Sequence, residues 1–228
     1  MWKSNKEYFC KKIILIRIVE NKDWIIYSLL GVGFLYVVMF RVLLRDISLI
    51  KFFTLKEEFA NNTIQSWVIT SVGFTISASV ALSDILPINP HLFAKYFNIF
   101  GYTPNKVGSI VLAFVFLFFF RTVSTYFFLA SIGEVERWKS FYFLTTKFFL
   151  GYSLALIGLV FVQNYLLTEK AWVIYMYIVF FCMSFIFKNL VYLFHHKAIL
   201  PDEWYYKILY ICTLQILPFL VVGKFLFF

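Results

Sequence analysis

Long apolar runs separated by brief polar breaks dominate this chain, and the length of the runs fixes their meaning. A helix crosses about 30 Å of hydrocarbon with about 20 mainly apolar residues. Six stretches reach that length: 24–44, 64–86, 107–132, 141–167, 171–194 and 205–227. Runs such as VLAFVFLFFF and LIGLVFV are apolar without interruption, whereas a membrane-spanning strand alternates apolar and polar over about ten residues. The pattern predicts an all-α fold, a polytopic transmembrane bundle of about six spans.

The breaks between runs predict the rest of the layout. Asn21-Lys22-Asp23 leads into the first span, which leaves through Arg41 and Arg45, and Pro87 and Pro90 close the second. Residues 45–63, RDISLIKFFTLKEEFANNT, mix Ile47, Leu49, Ile50, Phe52, Phe53 and Leu55 with Lys51, Lys56, Glu57 and Glu58. That mixture predicts an interfacial helix with a broad apolar face. Residues 87–106 hold three prolines and His91 and predict an ordered interfacial loop. Pro201-Asp202-Glu203 suits the first turn of the last helix, where a missing N–H and negative charge are both tolerated. In residues 1–23, Lys11, Lys12 and Arg17 interrupt the only apolar run, and no small-residue cleavage site follows it. This predicts a basic N-terminal interfacial arm rather than a cleavable signal peptide, leaving 24–228 as a single transmembrane domain.

Composition removes the soluble alternative. Only 14% of residues are charged and the mean hydropathy is +0.82, against about 25% charged in soluble domains. The net charge of +9 comes from basic residues scattered among apolar spans, which points to topology and anionic lipid rather than to nucleic acid. Setting the arm aside, Lys and Arg divide 11 to 4 between the two membrane sides; with its six basic residues the division is 11 to 10. Cytoplasmic odd connectors are favoured by the first count and left open by the second. Cys10, Cys182 and Cys212 form no paired or metal-binding pattern, and they read as small apolar fillers. His91, His195 and His196 lie in connectors on opposite faces, so no bis-histidine haem site is indicated. Hydrolase, kinase, zinc-protease and nucleotide-binding signatures are missing. No cofactor is expected and no catalytic residue is nominated.

Ionisable groups inside spans are the candidates for chemistry, because each is costly in hydrocarbon. Arg121 sits fourteen residues into the third span, about 20 Å from its start. Lys147 and Lys188 lie toward the same membrane face, and no acid sits at matching depth in any span. One reading is a basic recess for an anionic lipid head group or solute. The other is snorkelling, in which long stems carry the charges to the nearer interface. Small residues mark helix packing: Ser66, Thr70, Gly73, Ser77 and Ala81 in the second span, Gly151, Ala155 and Gly158 in the fourth.

Three stretches resemble the Bacteroidota integral membrane family known as domain of unknown function 4271. The first is Asp23-Trp24 with the exit FRVLLRDISLIKFFTLKEEF, and the second is IGEVERWKSFYFLTTKFFLGYSLALIGLVFVQNY. The most specific is Leu209-Tyr210-Ile211-Cys212-Thr213-Leu214-Gln215-Ile216-Leu217-Pro218, similar to the family's Leu-Tyr-x-Cys-Thr-Leu-Glu-Ile-x-Pro. Gln215 replaces the usual Glu, so any proton transfer or ion pairing by that acid would be lost here. A Pro typical of the family after the middle Gly-containing span is also missing. The resemblance covers nearly the whole chain and brings no biochemical activity with it. Independently of it, Pro218 removes a backbone hydrogen bond mid-span at a cost of about 3 kcal/mol, which predicts a kink near Gln215, whose amide would bond the freed carbonyl.

These residues point to a multi-pass protein of the bacterial cytoplasmic membrane, in contact with lipid and other envelope membrane proteins. The first functional expectation is a non-catalytic component of an envelope assembly. The alternatives are a small anion or lipid transporter or binding protein built on Arg121, and a membrane-embedded enzyme.

Overall fold

The computed structural model describes residues 23–43, 49–54, 62–85, 105–165, 170–194 and 203–227. Within them the chain is an all-α bundle with no strand. Helix α1 is Asp23–Val38, continued by a π-helical turn over Met39–Leu43; α2 is the short Leu49–Thr54. Helices α3 (Thr63–Ile85), α4 (Lys106–Ile132), α5 (Arg137–Tyr165) and α6 (Lys170–Phe194) follow. The last predicted span is α7 (Trp204–Tyr210), a π-helical segment (Ile211–Ile216) and α8 (Leu217–Phe227) in direct succession. Among the described residues, five helices are long and apolar enough to cross a membrane. The sixth expected span is not an unbroken α-helix, and its reason is local. Leu217 N–H bonds back to Cys212 O, one residue further than in an α-helix, in the turn just before the proline that cannot donate at all. Gln215 does not bond a freed carbonyl as expected: its Nε2 donates to Tyr210 Oη at 3.3 Å.

The apolar residues of each helix divide between the protein and lipid. On α1, Ile25, Leu29, Val32 and Tyr36 face inward, while Tyr27, Leu30, Phe34 and Val37 are exposed. Both faces are apolar because both solvents are. Helix α3 is the central element, 67% buried over its span against 17% to 39% for the other four. Its small face (Ser66, Thr70, Ser77, Ala81) is buried as its spacing predicts. At Gly73 an added Cβ would come within 2.7 Å of Tyr36 Cζ, so only glycine admits the ring. Tyr36 Oη donates to Ser153 Oγ at 2.6 Å, and Ser153 lies 3.3 Å from Ser77 Oγ. Ser77 donates its own proton to Gly73 O at 2.9 Å, so the proton between the two serines must come from Ser153. The relay pins α1, α3 and α5 together.

The small residues of α5 behave differently from expectation. A Cβ added at Gly151 would meet the Phe53 ring at 3.7 Å, an ordinary contact, but Ala155 and Gly158 point outward and a Cβ at Gly158 would meet nothing within 4 Å. The inward face of α5 is Leu150, Ser153, Leu156 and Val160. The predicted interfacial helix is seen as α2, whose Phe52 is inserted in the bundle against Phe40 and Phe143 rather than laid flat on a surface. Helices α4 and α5 are joined by a tight turn. Gly133 takes φ 81°, its N–H bonding Ala130 O, and Glu134 pairs with Arg137 at 3.0 Å. The N-terminal arm up to residue 22, residues 86–104, Cys10, the three histidines, Pro201 and Asp202 lie outside the described residues. So do most of the residues flanking α2.

Gly73→Ala should destabilise the protein by about 1–3 kcal/mol, because it expels Tyr36 from its seat. Gly158→Ala, on an open surface, should be neutral or slightly stabilising. Thermal unfolding of the two variants in one detergent checks the contrast; equal midpoints would contradict the packing described.

Candidate functional site

Arg121 is on α4, and neighbouring helices close over it. Only 8% of its surface is exposed. Its guanidinium lies 5.9 Å from the Phe141 ring centre and interacts electrostatically with the phenols of Tyr210, Tyr192 and Tyr142. Two of those phenols are fixed by other helices. Thr145 Oγ1 donates to Phe141 O at 2.8 Å and stands 2.9 Å from Tyr192 Oη. The threonine proton being spent on its own helix, Tyr192 must donate to Thr145, which leaves the phenol oxygen's lone pairs for the cations. Tyr210 Oη accepts from Gln215 and lies 3.5 Å from Thr125 Oγ1. The π-helical segment thus serves the site: it holds Gln215 on the same side as Tyr210, five residues away and buried.

Lys188 belongs to the same place. It is 8% exposed, its Nζ lies 5.5 Å from the Phe149 ring centre and 5.6 Å from that of Tyr192, and it feels the charge of Arg121. Snorkelling does not describe Arg121, whose Nη2 is fully buried, and Lys188 is enclosed over most of its length. Lys147 separates from them. Its Nζ donates to Phe53 O at 3.0 Å and lies over Phe143 at 4.7 Å, so it ties down the C-terminal turn of α2, where a cation meets the helix's negative end. The three cations expected as one set are two at the site and one brace. Pro218 contributes through the backbone of the last helix.

A recess opens beside Arg121, lined by Trp67, Phe118, Thr122, Phe141, Tyr142, Thr145 and Phe149 as well. Its volume is about 10 Å³, room for one water-sized occupant. Trp67 stands edge-on to Tyr142 with ring centres 4.7 Å apart. Two buried donors, Arg121 Nη2 and Trp67 Nε1, have no hydrogen-bond partner in the protein. Among the described residues, the carboxylates nearest in sequence, Glu134 and Glu136, sit on the α4–α5 turn, and none enters the electrostatic surroundings of Arg121 or Lys188. No group of three His, Cys, Asp or Glu among the described residues is placed to hold a metal. Cys182 and Cys212, expected as small apolar fillers of the spans, are exposed on the helices' outer faces.

Sequence reasoning nominated the cations and Gln215 but not Trp67, Tyr142 or Tyr192. Tyr192 was the most accessible of these, four residues after Lys188 on one helix face. Compared with known proteins, the chain matches no family model, no curated protein and no solved structure. The fold and site define the class: an integral membrane helix bundle that encloses Arg121 and Lys188 in one centre.

A cation desolvated without a counter-charge is a liability to the fold. Lys188→Met keeps the stem's packing and removes the charge, so it should raise stability by about 1 kcal/mol or more in salt-poor detergent. A fall in the unfolding midpoint would mean that the ammonium is stabilised by its surroundings.

Proposed function

We propose that this chain is a small membrane protein of the transporter kind that binds an anion at the Arg121–Lys188 centre. One observation carries the reading: two basic side chains are buried in one place, with phenols and aromatic rings around them and no carboxylate among their described neighbours. Each charged head costs several kcal/mol to take out of water, and a fold that keeps two of them side by side does so for a partner of opposite sign. The π-helical interruption of the last helix supports it as well. Such segments recur at functional sites, and broken helices line the binding sites of transporters.

The resemblance to the Bacteroidota family, and with it residence in the bacterial cytoplasmic membrane, rests on the sequence motifs alone and is part of the same proposal. A non-catalytic role in an envelope assembly draws on no geometry of its own, because the exposed apolar faces are what lipid alone demands.

The test is an anion survey by thermal unfolding of the full chain in neutral detergent, with sodium chloride, phosphate, acetate and phosphatidylglycerol. At least one should raise the midpoint saturably, by the equivalent of about 2.7 kcal/mol at a hundredfold excess over its Kd. Arg121→Gln should abolish that response. If no anion acts through Arg121, the reading is wrong.

A further inference from the structure

We infer that the anion is a single halide-sized ion, chloride in the first instance, held in the recess beside Arg121 by Arg121 Nη2 and Trp67 Nε1. This rests on the anion-binding reading and narrows it. The recess is about 10 Å³, the space of one water. A carboxylate, a phosphate or a lipid head group needs several times that, and Phe118, Phe141 and Phe149 wall it in.

The polar atoms around the recess are sorted by direction. Arg121 Nη2 and Trp67 Nε1 are buried donors without acceptors, and both residues line the recess. The hydroxyls that share it already have partners: Thr122 donates to Phe118 O at 2.7 Å, Thr145 to Phe141 O at 2.8 Å, and the Tyr142 phenol is hydrogen-bonded to Thr122. What the walls offer is therefore unsatisfied N–H and positive charge. A buried donor left unmatched costs about 1–3 kcal/mol, more when charged. A water would accept from both N–H groups but would leave the charge of Arg121, and of Lys188 behind Phe149, without compensation. A monoatomic anion satisfies both donors and the charge at once.

Chloride NMR line broadening on the full chain in nanodiscs of zwitterionic lipid reads this directly. Saturable broadening is expected, displaced by bromide and iodide. Trp67→Phe keeps the ring against Tyr142 and removes one hydrogen bond to the ion, so affinity should fall about tenfold or more. Arg121→Gln should abolish binding. Arg121→Lys, which keeps the charge if Arg121→Gln fails to fold, should bind more weakly than wild type. Undiminished binding in Trp67→Phe would overturn the site. Absence of chloride binding, with phosphate or phosphatidylglycerol still stabilising through Arg121, would overturn the ion's identity and leave the anion centre standing. No Arg121-dependent response to any of these ions would overturn both.

Discussion

Lipid accepts no hydrogen bond, so each polar group that these helices turn inward has to find its partner within the protein. Helix α3 shows what that demands. Three of its hydroxyls bond back to their own helix, Thr70 to Ser66 O, Thr75 to Ser71 O, Ser77 to Gly73 O, while those of Ser66, Ser71 and Ser79 are buried without a partner. Only the lone pairs left over are offered to neighbours. Through Ser77 and Ser153 they capture Tyr36, whose ring fits where Gly73 has no side chain. Association in lipid gains no hydrophobic term between helices. Close backbone approach and one directed relay are therefore what set α1, α3 and α5 in place, and α4 packs on the other side of α3.

The site around Arg121 is the same logic left incomplete. Thr145 directs the Tyr192 proton, Gln215 donates to Tyr210, and both phenol oxygens turn toward positive charge. Phenol oxygens and ring faces are weak partners for a cation. Arg121 Nη2 and Trp67 Nε1 are buried without hydrogen-bond partners and line one recess together. A centre like this stabilises something other than the fold. That is why Arg121 and Lys188 read as a binding device, and why Lys147, bonded to the α2 carbonyl of Phe53, does not.

The helices were legible because lipid makes a span a matter of length and apolarity, and those are linear properties of the sequence. The seat of α3 was legible for a similar reason: Gly73, Ser77 and Ala81 recur on one face. Depth also set Arg121 apart from the flanking charges, and it is buried. Other features escaped because they depend on which way a residue points. A helix apolar all round gives no phase, so nothing in sequence separates the buried Ser153 from the exposed Ala155 and Gly158. The same lack of phase hid the contrast between Lys188, folded inward, and Lys147, turned to α2. Trp67 carried no signal, since tryptophan near a span's start reads as an interfacial anchor. The last span was placed by its apolarity, but its break into α7, a π-helical segment and α8 follows from Pro218 together with the pull of Tyr210 on Gln215.

The central claim is that Arg121 and Lys188 are enclosed together inside the bundle rather than reaching an interface. It can be read most directly by thiol accessibility. Cys10, Cys182 and Cys212 would be replaced by serine, and Arg121→Cys, Lys188→Cys and, as an exposed control, Arg41→Cys introduced one at a time. In membranes, positions 121 and 188 should resist a bulky water-soluble maleimide while position 41 reacts. Labelling of 121 and 188 at the rate of the control would contradict the account.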